Sequence, residues 1–215
     1  MDAMVLRFPV ERRLPQGGAT MVAGHGAVPA PQLAPDRGTA FAILSLEVRR
    51  EARKVSEITP QIAEKVLNRV VLAALESLSG PGATVTVAGT SLRPVIQVRY
   101  DGEDAAERAV VAADAAREAV RNAQRSHENE FVIAGAVAAG RETASQGVRV
   151  SYGRPESVAV RLRENAPAGQ IVLTDAAWEG CERLVEVLPT GEVTMVPGAR
   201  PVGVFVLREL HAPEA

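Results

Sequence analysis

Ten residues, TAFAILSLEV at 39–48, constrain the fold more than any other stretch of the chain. A run this apolar, too short for a membrane span, reads as a strand buried on both faces. The chain must therefore build a sheet around it. A polar loop, RREARKVSEI, follows, and then TPQIAEKVLNRVVLAALESLSG reads as a helix. Thr59 is its N-cap and Pro60 its first residue. Ile62, Val66, Leu67, Val70, Val71, Ala74, Leu75 and Leu78 make its apolar stripe. Gly80, Pro81 and Gly82 end it.

ATVTVAGTSLRPVIQVRY reads as a β-hairpin, with valines at alternate positions and a turn around Gly89, Thr90 and Ser91. DGEDAAERAVVAADAAREAVRNAQRS is a second helix. Its inner face is Ala105, Ala109, Val110, Ala112, Ala113, Ala116 and Val120, small enough for a close approach to a sheet. EFVIAGAVAAGRE and GVRVSY are strands joined by a polar loop, TASQ. PESVAVRLREN gives a third helix that carries Arg161 and Arg163, followed by the strand QIVLT and a short helix, DAAWEGC. RLVEVL, EVTMV and VGVFVL are read as three further strands. Strands alternate with helices except at one hairpin. That order gives an α+β, ferredoxin-like sandwich: a mixed, largely antiparallel sheet with helices mainly on one face.

Residues 1–38 differ from the rest, being rich in Gly, Pro and Ala without a sustained period. They read as a flexible tail, and residues 39–210 as the folded domain. The short MVLRFPV within the tail is a disordered end, a lone strand or a peptide that docks an unknown protein partner.

Composition removes several classes. Acidic and basic residues are interspersed at a formal net charge of -2, and aromatics are 3% of the chain. Neither a basic face nor stacking platforms for nucleic acid are expected. Cys181 is the single cysteine, so there is no internal disulfide and no thiolate zinc cluster. That fits a reducing cytoplasm. No apolar run approaches the roughly 18 residues of a membrane span, and no secretory signal is read at the N-terminus. His25, His127 and His211 are too scattered for a metal site, and Cys181, near Trp178 at a helix end, reads as a packed core thiol. No hydrolase triad, Walker loop or dinucleotide fingerprint occurs.

The order and spacing of several motifs carry a resemblance. AVAAGRE is a glycine-bounded strand. YGRPESVAVRLRENAPAGQIVLTDAAWEGC joins a glycine, a helix with Ala-x-Arg-Leu, an A-x-x-G-x-I-x-x-T run and a short helix. VPGARPVGVFVL closes with glycine, proline and a final strand. Over about residues 39–208 the chain resembles the catalytic domain of class III nucleotidyl cyclases, the adenylate and guanylate cyclase homology domain. The resemblance implies a head-to-tail dimer with active sites at its interface. It implies two aspartates holding two metal ions, and an asparagine and an arginine one helical turn apart to orient ribose and stabilise phosphate charge. A lysine and a second polar residue would read the base.

Carried onto this chain, the resemblance puts Leu46 at the first metal aspartate. Glu47 is next door but points to the opposite face of a regular strand. Thr90, after Gly89 at the hairpin tip, stands for the second aspartate, and a neutral hydroxyl is a poor magnesium ligand. Ser157 falls on the asparagine and Arg161 on the arginine, four residues apart and so on one helix face. Pro197 or Val196 falls on the lysine. Scaffold is kept and site chemistry is depleted. The expectation is a degenerate domain with no catalytic residue, resident metal or cofactor, serving as a dimerisation or regulatory module. It would pair with itself or with another cyclase-like domain. The alternatives are a cyclase subunit whose partner supplies the aspartates, and a nucleotide sensor without turnover.

Overall fold

The structure, a computed structural model, describes residues 38–51, 59–124, 131–145, 148–151, 154–195 and 200–211, the stretch 143–151 by its backbone alone. Residues 1–37 of the expected tail and the Val196 and Pro197 positions lie outside the described residues, as do His25 and His127. Eight strands form one sheet: β1 (Thr39–Arg50), β2 (Ala83–Thr90), β3 (Arg93–Asp101), β4 (Phe131–Ser145), β5 (Val148–Ser151), β6 (Ile171–Thr174), β7 (Val185–Val193) and β8 (Val202–Leu210). Four helices are α1 (Pro60–Leu78), α2 (Ala105–Ala123), α3 (Pro155–Asn165) and α4 (Asp175–Glu179). The strand order is β2-β3-β1-β4-β6-β8-β7, with β5 paired to β4. The first four strands are antiparallel to their neighbours, and β6 joins β4 in parallel. This is the α+β sandwich expected from the element order.

β1 is the centre of it. Every residue from Phe41 to Val48 is buried, because β3 and β4 flank the strand and helices cover both faces. Ala42, Leu44, Leu46 and Val48 point into the larger core, shared with α1 and α2. Phe41 and Ile43 point into a smaller core under α3, with Val158, Ala159 and Leu162. Gly135 of β4 sits opposite Leu46, and a Cβ there would stand 2.5 Å from Leu46 Cδ2. The close fit leaves no room for a side chain at that point.

α1 starts as expected, with Thr59 Oγ1 accepting from Ile62 N and Pro60 opening the helix. The stripe shifts at its start: Ile62 is exposed and Ala63 faces the core. α2 buries Ala105, Ala109, Ala113 and Ala116 against β1 and β4, the close approach that small residues allow. Among the described residues α1, α2 and α4 share one face, and α3 alone covers the other.

Two expectations at strand ends are corrected. TASQ is not all loop, since β4 runs on through Ser145 and pairs β5. RLVEVL and EVTMV are not separate strands. A 3-10 turn at Glu182–Leu184 leads into the single strand β7, whose register against β8 shifts between Glu186 and Val187 and again between Pro189 and Gly191. Those bulges absorb the proline and glycine that imitate a turn.

Gln124 closes α2 onto β4. Its side-chain amide donates to Val120 O at 3.0 Å and Phe131 O at 2.7 Å, and its oxygen accepts from Phe131 N. The residue is buried, so it supplies backbone partners that water cannot reach. Gln124→Ala should cost about 1–3 kcal/mol for the partners left unpaired. Urea denaturation of the two proteins checks this, and an unchanged midpoint would contradict it.

Candidate functional site

α3 is the element that brings charge to the sheet. Its inward residues are Pro155, Val158, Ala159, Leu162 and Arg163, the spacing of an apolar helix stripe with one arginine in it. Arg163 is therefore buried, whereas Arg161 on the same helix is exposed. Both ends of the helix are tied to the sheet by charge. At the N-terminal end Glu156 lies 3.5 Å from Arg99, which also pairs with Asp101 and Glu142 and lies over the Phe41 ring at 4.1 Å.

At the C-terminal end the tie is Glu47. Its side chain is 4% exposed, on the α3 side of β1. Arg93 Nε donates to Glu47 Oε1 at 2.6 Å, and Arg49 Nη2 donates to Oε2 at 2.9 Å. Arg163 Nε stands 3.8 Å from Oε2, a charge contact too long for a hydrogen bond, while its Nη1 donates to Ser45 Oγ at 3.2 Å. Arg49 also caps the helix, donating to Ala166 O and Arg163 O at 2.8 Å each. One carboxylate thus fastens two strands, a hairpin and a helix end. Burial pushes the Glu47 carboxyl up. The hydrogen bonds and charges of Arg49 and then Arg93 outweigh that and hold it below the ordinary value.

The positions carried over from the resemblance are not gathered in one place. Leu46 lies on the opposite face of the sheet, fully buried in the larger core, and cannot share a site with α3. Glu47 is the β1 residue that does face α3. Thr90 is exposed at the hairpin end, which turns through Ser91 and Leu92, and its Oγ1 accepts from Arg93 N at 3.1 Å. Ser157 and Arg161 are exposed on the outer face of α3, where Arg161 Nη1 donates to Met195 O. The residues missed by reading the sequence are Arg49, Arg93 and Arg163. Arg163 alone carries a local signal, as a charged residue in an inward register.

The paired metal ions of a cyclase site do not fit this donor set. Among the described residues no three His, Cys, Asp or Glu side chains are grouped as a metal centre needs. The one buried carboxylate already faces guanidinium charge on both oxygens. A divalent ion would have to displace those contacts while adding positive charge beside three arginines. Cys181 is equally unsuited to chemistry. It is buried, its thiol donates to Ala177 O at 3.1 Å, and burial, aided by the charge of Glu107, pushes it up to about 11.

Comparison with known proteins agrees with the fold. No protein-family profile matches the chain, and no curated protein matches it in sequence. Solved structures do. The adenylyl cyclase CyaB from P. aeruginosa superposes with a TM-score of 0.61 at 13% identity, covering 82% of this chain and 97% of that one. The guanylyl cyclase Cya2 gives 0.56 at 18% identity, covering 82% and 96%. The adenylate/guanylate cyclase/hydrolase from Silicibacter pomeroyi gives 0.55 at 17%, covering 78% and 95%. The chain has the fold of class III adenylyl and guanylyl cyclase domains.

Glu47→Gln should destabilise the protein by about 3 kcal/mol, because the half-buried Arg49 loses its carboxylate and the buried Arg163 keeps only the exposed Glu164, at 3.2 Å. Arg93→Gln should cost less than about 1 kcal/mol, since exposed charge pairs contribute little and the Arg93 side chain is 67% exposed. Chemical denaturation of both variants checks the ranking, and equal losses would contradict it. The lowered Glu47 value also fixes a pH dependence. A depressed carboxyl contributes stability above its ordinary value of 4.5 and loses it as pH falls through the folded value. The wild type should lose stability faster than Glu47→Gln on acidification below pH 4.5.

Proposed function

We propose that this chain is a cyclase-type domain that does not turn over nucleotide and works as an assembly or regulatory module in signalling. The observation that carries the reading is the engagement of Glu47 by Arg49 and Arg93, with Arg163 behind them. Positive charge that a cyclase site would draw from metal ions is here supplied by the chain itself. Thr90, a neutral group, stands at the hairpin end, and Arg161 is engaged by the Met195 carbonyl. With catalysis removed, the fold still offers what such domains use to associate. The guanylyl cyclase domain of the RhoGC fusion protein from Blastocladiella emersonii is described in both dimeric and monomeric form. We extend that capacity for pairing to this chain, with itself or with another cyclase-like domain. A cytoplasmic setting belongs to the same reading and suits the unpaired, buried Cys181. Among the described residues no helix is long and apolar enough to cross a membrane.

Incubation of the purified chain with ATP or GTP and manganese, read as cyclic nucleotide by mass spectrometry, tests the reading. No product above the buffer control is expected. Product formation that Arg161→Ala abolishes would overturn it.

A further inference from the structure

The two edges of the sheet are built differently. The β7 edge carries Glu186, Pro189 and Glu192 and two register shifts against β8. Charge, proline and bulges are the devices that keep an edge strand from pairing with another chain. The β2 edge has none of the three. Its eight residues, ATVTVAGT, hold no charge and no proline, and pair with β3 in one unbroken register from Ala83↔Tyr100 to Thr90↔Arg93. Six of the eight are exposed, Val87 is 53% exposed, and Leu92 in the adjoining turn is 77% exposed. Five of its eight residues are β-branched, the side chains best suited to cross-strand pairing.

We propose that the β2 edge pairs antiparallel with β2 of a second copy, joining two sheets into one. The strand suits itself as a partner for two reasons. Without charge it lies against its own copy with no like charges opposed, as an isologous contact requires. Its period of two also matches valine with valine: a twofold axis centred on Thr86 sets Val85 opposite the second copy's Val87, and Val87 opposite the second copy's Val85. The ladder uses main-chain groups at an edge that no other described strand pairs, and the half-buried Val85 and exposed Val87 meet across the axis on the face that carries α1 and α2. A ribbon of this length is small beside the roughly 1,200 Å² of a stable interface, so the dimer is reversible, in the micromolar to millimolar range. The inference deepens the assembly reading by naming its surface and partner. It does not require absence of turnover: an active chain that dimerises through β2 would overturn that reading and leave this one standing.

Sedimentation equilibrium of the full chain from about 10 µM to about 1 mM tests it. The wild type should show a concentration-dependent dimer. Thr86→Lys and Thr86→Glu sit at the axis on an exposed position. Each alone should weaken the dimer by roughly tenfold, and an equimolar mixture of the two should regain wild-type association. A monomer throughout the range would overturn the proposal and leave the edge to residues 1–37 or to a foreign strand. A wild-type dimer indifferent to both variants would overturn it as well, placing association on another surface.

Discussion

The contact on which the rest of the structure depends is the ion cluster around Glu47. A carboxylate at 4% exposure is costly to keep charged, and only close counter-charges offset that cost. Here the compensation comes from three parts of the chain: Arg49 on the same strand, Arg93 at the hairpin and Arg163 on α3. Each is also a structural tie. Arg49 reaches from the sheet to the last carbonyls of α3, so the acid that orients it orients the helix end. Among the described residues α3 is the single helix on its face of the sheet, and the smaller core beneath it is closed by these contacts at one end and by Arg99 at the other.

This arrangement separates scaffold from chemistry. The scaffold needs buried strands, small residues in α2 and close fits such as Gly135 against Leu46, all of which are satisfied. The chemistry of a two-metal site needs carboxylates with free oxygens facing a common space. Glu47 offers oxygens that are already used, and Leu46 faces away into the core. A guanidinium gives fixed hydrogen-bond geometry and cannot be exchanged, whereas a metal ion brings open coordination positions to a substrate. In this chain guanidinium groups balance the charge of Glu47.

Much of this fold was legible in the sequence because period survives where elements are regular. The unbroken apolar run of β1, the capped start of α1 and the alternating valines of β2 and β3 each carry a local signal. β7 was not legible as one strand, because two bulges break the alternation and Pro189 and Gly191 look like a turn. The site was harder. Arg93 and Glu47 are 46 residues apart, and Arg49 and Arg163 are 114 apart, so nothing local links them. Glu47 itself was a clue, an acid in a strand buried on both faces, which must find a cation somewhere. Arg163 was the answering clue, at an inward position of a helix stripe. Reading the two as partners requires knowing that α3 crosses β1, which only the packing shows.

The most direct measurement is a manganese titration followed by electron paramagnetic resonance, without nucleotide, on the wild type. Free manganese gives the six-line signal, and binding quenches it. If guanidinium groups hold both oxygens of Glu47, the signal should match that of free manganese through the millimolar range. Stoichiometric quenching that is lost in Glu47→Gln would show that the carboxylate does hold a divalent ion, and would contradict the account at its centre.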